Sequence, residues 1–292
     1  MSVADSINKL MAHVAGGGSV ESSPDELTEV AARIMDAIDR ALQGRTAGPR
    51  EAKKLYFSEV GSPCVRKTWY RFHGTPGEQL DPSALIKFLY GDILEELLLF
   101  LAMKAGHEVR DQQRRVEIPL DNDWVLSGRI DAIIDNAVVD VKSASTFAMK
   151  KFDSEHSLRA DDPFGYIDQL TGYQVGLDDV DHNSAEFLVV DKTLGHVKSV
   201  SVKPEANAEA KLIDKCNRIA TAMEQPTPPP KMDGHSVPEG KSGNMKLCTT
   251  CSYCAYKQTC HTGLRTFLSS RGPVFFTTVK REPKMTEVTD YS

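Results

Sequence analysis

Two aspartates and a lysine are spaced as a divalent-cation site would need them. They lie in Gly128-Arg129-Ile130-Asp131-Ala132-Ile133-Ile134-Asp135-Asn136-Ala137-Val138-Val139-Asp140-Val141-Lys142. Asp135-Asn136 has the composition of a two-residue hairpin turn, which needs residues that tolerate positive φ. With that loop, Ile134 faces Ala137, Asp131 faces Asp140 and Arg129 faces Lys142. Strand side chains alternate between faces. One face then carries Ile130, Ala132, Ile134, Ala137, Val139 and Val141, and the other carries Arg129, Asp131, Asp140 and Lys142. Like charges directly opposed destabilise a sheet, and carboxylates with Cβ atoms ~5 Å apart are relieved by a divalent cation between them. Lys142 points the same way as Asp140, where it can meet an attacking water or a phosphate. The alternative is a solvated face on which Arg129 and Lys142 make diagonal salt bridges to the aspartates.

Further polar residues lie on either side of the hairpin. Gln169 and Tyr173 are four apart in a helical pattern and share a face. Both can hold a phosphate or a water; a plain polar helix edge is the other reading. Upstream, Glu95 and Glu96 stand among Leu94, Leu97, Leu98 and Leu99, so at least one of the pair is expected near a buried surface.

The six cysteines are Cys64, Cys216, Cys248, Cys251, Cys254 and Cys260. The last four form C-x-x-C-x-x-C followed by a fourth cysteine six residues on. In a reducing compartment such clustering indicates metal or cluster ligation rather than disulfides. One Zn²⁺ held locally by Cys248, Cys251, Cys254 and Cys260 satisfies the spacing, and so do free thiols. Cys216, in a helical pattern with Leu212 and Ile219, reads as core.

Taken in chain order, Gly128-Arg129-Ile130-Asp131, Asp140-Val141-Lys142 and Gln169-x-x-x-Tyr173 resemble the PD-(D/E)XK nuclease superfamily, specifically its RecB-like exonuclease branch. That branch has a metal-binding His in a Gly-x-x-x-His-Glu context on an earlier helix. Here Gly91 leads to Glu95-Glu96, and Glu95 stands in the place of the His. A carboxylate there still suits Mg²⁺ or Mn²⁺. The resemblance implies that Glu95, Asp131 and Asp140 hold the metal. It implies a catalytic set of Asp131, Asp140, Lys142, Gln169 and Tyr173. Lys142 would orient or activate the water, and Gln169 and Tyr173 would position the DNA backbone or a water.

Some members of the branch, the CRISPR-adaptation exonucleases and AddB-type nuclease domains, hold an iron–sulfur cluster. They have one cysteine before the core and C-x-x-C-x5-C after it. Cys64, then Cys251, Cys254 and Cys260, match in spacing and order. The implied 4Fe-4S cluster would take a Cys₄ set and staple the chain around the core. The likeness covers about residues 60–262. It implies a restriction-endonuclease-like α/β fold, a mixed central sheet flanked by helices, with a cysteine-cluster appendage. It also implies a metal-dependent DNA exonuclease acting on ends or single strands, with recombination or replication proteins as possible partners. The rival is a zinc-binding, catalytically inactive DNA-binding or recombination partner.

These side chains require a scaffold. The chain has 292 residues, 40% hydrophobic and 26% charged, which excludes collagen, coiled-coil rods and full-length disorder. With 35 basic and 41 acidic residues the net charge is −6, so DNA binding must use a local groove, assigned to Arg66, Lys67, Arg129, Lys150 and Lys151. No apolar run reaches the length of a membrane helix, and no secretory signal is visible. A cytoplasmic location is expected, the host cytoplasm if the chain is phage-encoded.

Residues 1–22 read as weakly structured. Ser23, Pro24 and Glu26 start a capped helix through Val30, Ile34, Ile38 and Leu42 to Gly44. Residues 45–80 read as irregular. A long helix is expected from Ser83 to Ala105, strands near Glu108–Leu120, Trp124–Ile134 and Ala137–Lys142, and a helix over Phe164–Gly176. Strands at Ala185–Val190 and His196–Val202 and a helix over Pro204–Met223 follow. The expected organisation is an N-terminal helical extension (1–60), a nuclease core (61–225), a connector with the Cys cluster joining Cys64 (226–265), and a C-terminal tail (266–292), poorly ordered after about residue 280.

Overall fold

The structure, a computed structural model, describes residues 1–43, 51–79, 82–270 and 272–288. The expected helix end at Gly44 falls outside them. The fold is mixed α/β, with mixed and antiparallel sheets flanked by helices. The chain divides into two compact units, Met1–Gly61 with Asp81–Cys216, and Ser62–Leu80 with Asn217–Ser292.

The first unit is built on a five-stranded sheet. Its order is Val109–Arg110, Ala132–Ile134, Ala137–Ala144, Ala185–Asp191, Val197–Val202. Ala137–Ala144 and Ala185–Asp191 run parallel, and the other neighbours antiparallel. One face packs Ala132, Ile134, Val139, Val141, Leu188 and Val190 against Leu98, Leu99 and Ala102 of the Pro82–Lys104 helix. A second sheet joins Lys54–Tyr56, Val125–Arg129 and Arg115–Pro119.

Residues 1–22 are not loose. Val3–Ala15 is a helix whose start is fixed by a capping box between Ser2 and Asp5. Its Val3, Ala4 and Ile7 enter the main core. Burying Val and Ile side chains contributes about 1.5–3 kcal/mol each, and together with that cap it orders the segment. The next helix, Pro24–Leu42, begins as expected, with Ser23 and Glu26 capping each other. Within residues 45–80, Lys54–Tyr56 is a strand, and Phe57–Val60 and Val65–Phe72 are helical.

The hairpin has the expected register over three pairs: Ile134 with Ala137, Ile133 with Val138, Ala132 with Val139. Asp135 and Asn136 take the turn with φ of 48° and 68°. Beyond Ala132 the expectation fails. The strand breaks at Ile130-Asp131, and Val125–Arg129 crosses into the other sheet, so Arg129 pairs with Arg115 rather than Lys142. The Ile130 N–H donates to the Arg114 carbonyl, and the Asp131 carbonyl accepts from Gln113. The face expected to be polar also carries Ile133 and Val138, which are fully buried. A solvated salt lattice therefore does not form there. Asp140 is 2% exposed.

The second unit contains the Val65–Phe72 helix and an antiparallel five-stranded sheet. Its order is Thr286–Val288, Arg265–Ser269, Gly272–Thr278, Asn244–Leu247, Ser236–Glu239. Two of these strands occupy the expected connector, and Thr286–Val288 lies beyond residue 280, where poor order is expected. Strands of three to five residues give little periodic signal. The edge strand is held by Arg265, which pairs with both Glu282 and Glu287. The unit boundary falls inside the Ala208–Met223 helix, where Cys216 is fully buried as core. No helix among the described residues is long and apolar enough to cross a membrane.

Candidate active site

The Ala137–Ala144 strand places Asp140 and Lys142 on one face by simple alternation. Asp140 Oδ2 lies against the Lys142 ammonium in an ion pair, without a well-directed hydrogen bond. Asp131 reaches them from the strand break. Its Oδ2 accepts the Val141 backbone N–H at 2.7 Å, doing the work of a ladder carbonyl. Glu95 comes from the Pro82–Lys104 helix, and its Oε1 accepts from Gln113 Nε2 at 2.7 Å. Glu96 turns elsewhere: it is buried and takes the Arg33 guanidinium at 2.8 Å.

Burial and mutual repulsion load these acids. Glu95 is pushed up to about 9 by burial first, then by Asp131, Glu96 and Asp140. Asp131 is pushed up to about 7 by burial and the Asp140 charge. Burial alone would lower Lys142, but Asp140 and Asp131 outweigh it and hold the ammonium charged. Surplus buried negative charge and a buried Asp140 oxygen without a directed partner suit a hard divalent cation with oxygen ligands. As the side chains stand, no group of three or more His, Cys, Asp and Glu among the described residues is arranged to hold an ion, Asp140 being drawn to Lys142.

Gln169 and Tyr173 share a face of the Tyr166–Val175 helix, with Gln169 Nε2 donating to the Tyr173 hydroxyl at 3.3 Å. Tyr173 is buried, which pushes its hydroxyl up to about 12, and its ring meets Phe57 at 4.6 Å. Both rings press on Gly128, where a Cβ would fall 2.7 Å from Phe57 and 2.9 Å from Tyr173. The motif glycine is thus required by the close approach of that helix. Gly165, at φ 73°, starts the same helix and packs directly on Gly61, with no room for a side chain on either.

One site residue is absent from the sequence reading. The Tyr166 ring centroid lies 5.2 Å from Lys142 Nζ. A tyrosine three residues before Gln169, at the first turn of the helix, was the available signal. Asp162 fixes that turn, its carboxylate accepting the N–H groups of Gly165, Tyr166 and Ile167 at 2.9–3.0 Å.

An open cleft of about 540 Å³ reaches Glu95 and Asp131, lined by Asp92, Glu95, Glu96 and Asp131 together with Arg40, Gln43, Gln113 and Arg129; the buried Asp140 lies behind this lining. Of the expected DNA-binding residues, Arg129 lines this cleft. Lys150 and Lys151 follow the Ala137–Ala144 strand, in the Ala148–Asp153 turn, with Lys151 near Asp161 and over the Phe164 ring. Arg66 and Lys67 belong to the second unit. There Arg66 is engaged by the Pro229 carbonyl at 2.6 Å and the Tyr70 hydroxyl at 3.1 Å.

In the second unit, Cys64, Cys251, Cys254 and Cys260 line one cavity. Cys64 precedes the Val65–Phe72 helix, and the others lie on short helical turns and their links. Burial raises the thiols of Cys64, Cys251 and Cys254. Cys248 lies beside Cys251 and adds to its shift. Arg66, Lys67, Lys257 and His261 line the same cavity, and the Lys67 charge partly offsets the rise at Cys64 and Cys254. Four sulfurs facing one space are the donor set that a thiolate-ligated centre needs.

Residues 9–261 match the family model of the PD-(D/E)XK nuclease superfamily. Among solved structures, the protein designated SSO0001 aligns with a TM-score of 0.47 at 16% identity, over 77% of this chain and 95% of that one. An alkaline exonuclease from Laribacter hongkongensis aligns with a TM-score of 0.43 at 13% identity, over 59% and 88%. The same enzyme in complex with dAMP gives a TM-score of 0.42 at 13% identity, over 59% and 88%. No curated protein matches. The family match spans most of the chain, including all the acids and Lys142, and this chain belongs to the PD-(D/E)XK nuclease superfamily.

Proposed function

We propose that this nuclease is a Mg²⁺- or Mn²⁺-dependent DNA exonuclease of the RecB-like branch, acting on single strands or duplex ends. The observation that carries this reading is the electrostatic coupling of Glu95, Asp131 and Asp140 beside a half-buried Lys142. Those three carboxylates would hold the cation. When bound, it supplies Lewis acidity and offsets charge on the phosphate. Lys142 orients the attacking water and donates to the phosphate as negative charge builds. Gln169 and Tyr173 position the DNA backbone or a water, and Arg129, Lys150 and Lys151 bind flanking phosphates.

Cys64, Cys251, Cys254 and Cys260 hold a 4Fe-4S cluster in this reading, a structural staple rather than a reactant. Cys248, beside Cys251, favours a second reading of that centre: one Zn²⁺ on Cys248, Cys251, Cys254 and Cys260.

The test is cleavage of labelled single-stranded and duplex DNA with Mg²⁺, with Mn²⁺ and with EDTA. Lys142→Ala should lower kcat by about 10²–10³-fold while DNA and metal still bind. Asp140→Ala should lose metal binding as well. Wild-type cleavage by both variants would refute this site.

A further inference from the structure

The capped Pro24–Leu42 helix lies upstream of every motif, and none of the roles above uses it. It is tied to the Pro82–Lys104 helix at two points. Lys104 Nζ meets Glu26 at 3.2 Å, and Arg33 Nε meets the buried Glu96 at 2.8 Å. Glu26, Arg33 and Arg40 recur every seven residues and so fall on one stripe of the helix. Ala37, 1% exposed, shows that this side of the helix packs. The first two members of the stripe make the ties. The third, Arg40, lines the carboxylate cleft together with Gln43.

The cleft presents Asp92, Glu95, Glu96 and Asp131, and among its described lining residues the cationic ones are Arg40 and Arg129. They come from different elements, the Pro24–Leu42 helix and the end of the Val125–Arg129 strand. Arg40 pairs with Asp36 one turn back on its own helix, both more than half exposed. An exposed pair of that kind contributes little. Its guanidinium can therefore turn to a phosphodiester, which it meets with two parallel hydrogen bonds.

We infer that the Pro24–Leu42 helix is one wall of the substrate cleft, and that Arg40 binds a DNA phosphate next to the scissile one, with Arg129 as the second contact. The inference rests on the nuclease reading above. Arg33 and Glu26 hold the wall in place, so Arg40 is presented by a fixed helix rather than by a loop.

The experiment uses the full chain and a fluorescein-labelled single-stranded oligonucleotide. Anisotropy with Ca²⁺ over a NaCl series gives Kd and its salt slope, and cleavage with Mn²⁺ gives kcat and KM. Arg40→Ala should weaken binding about tenfold and flatten the log–log salt slope by about 0.7–0.9, the signature of one lost phosphate contact. The loss should fall on KM with kcat nearly unchanged, Arg40→Lys should restore the salt slope but only part of the affinity, because a single ammonium cannot make the paired hydrogen bonds, and melting should match wild type. A wild type that binds and cuts, with Arg40→Ala equal to it in Kd and slope, overturns the assignment of Arg40 alone. A wild type that neither binds nor cuts overturns this inference and the nuclease reading together.

Discussion

The Asp131 carboxylate accepts the Val141 N–H at 2.7 Å, immediately beyond the point where the hairpin ladder ends. One side chain thereby closes the broken edge of the sheet and brings its charge beside Asp140. Asp131→Asn keeps an acceptor for Val141 and removes the charge, so the metal-free protein should gain about 1 kcal/mol. Asp131→Ala leaves that N–H unpaired and should cost about 1–3 kcal/mol. Urea unfolding in EDTA measures both. Equal stabilities for Asn and Ala would show that the hydrogen bond has no structural weight.

Stability of the metal-free protein should fall as pH rises. Glu95 is raised to about 9 and Asp131 to about 7. Above the ordinary carboxylate range and below these values, the folded state keeps protons that the unfolded chain has released. Stability therefore declines with pH across that window and is fully retained below it. Melting temperatures in EDTA from about pH 5 to about pH 9 test this, Glu95→Gln flattening the upper part of the curve and Asp131→Asn the lower. Added Mg²⁺ should stabilise more at the alkaline end, where the acids are free to bind it. A flat wild-type curve would contradict the buried acid cluster.

Tyr166 should matter through its ring rather than its hydroxyl. The ring covers Lys142 Nζ at 5.2 Å. A partly exposed contact of this kind contributes about 1–2 kcal/mol. Tyr166→Phe should keep near-wild-type kcat, and Tyr166→Leu should lower it about tenfold or more. Substantial loss in Tyr166→Phe would assign the role to the hydroxyl instead.

The cysteine cavity separates the two metal readings. Protein purified without oxygen should be brown, with matched iron and sulfide, and Cys64→Ser should lose both. Cys248→Ser and Cys216→Ser should keep them, since Cys248 is outside the cavity lining and Cys216 is buried core. Colourless protein with one zinc, kept in Cys64→Ser and lost in Cys248→Ser, would establish the local zinc site.

What the sequence determined by itself was local. The Ser23 cap, the Asp135-Asn136 turn and the alternation that pairs Asp140 with Lys142 each depend on a few consecutive residues, whose backbone preferences act at short range. Only the tertiary structure decided the rest. The hairpin stops at Ala132 because Val125–Arg129 finds partners in Lys54–Tyr56 and Arg115–Pro119, which no local pattern announces. The same competition moves Arg129 from Lys142 to the cleft and makes Asp131 a hydrogen-bond partner of Val141. Glu95 and Glu96 are equivalent in sequence; Arg33, 63 residues away, claims Glu96 and leaves Glu95 to the acids. Val3–Ala15 is a helix because its apolar side chains find a core to fill, and burial against distant residues outweighs a weak local preference.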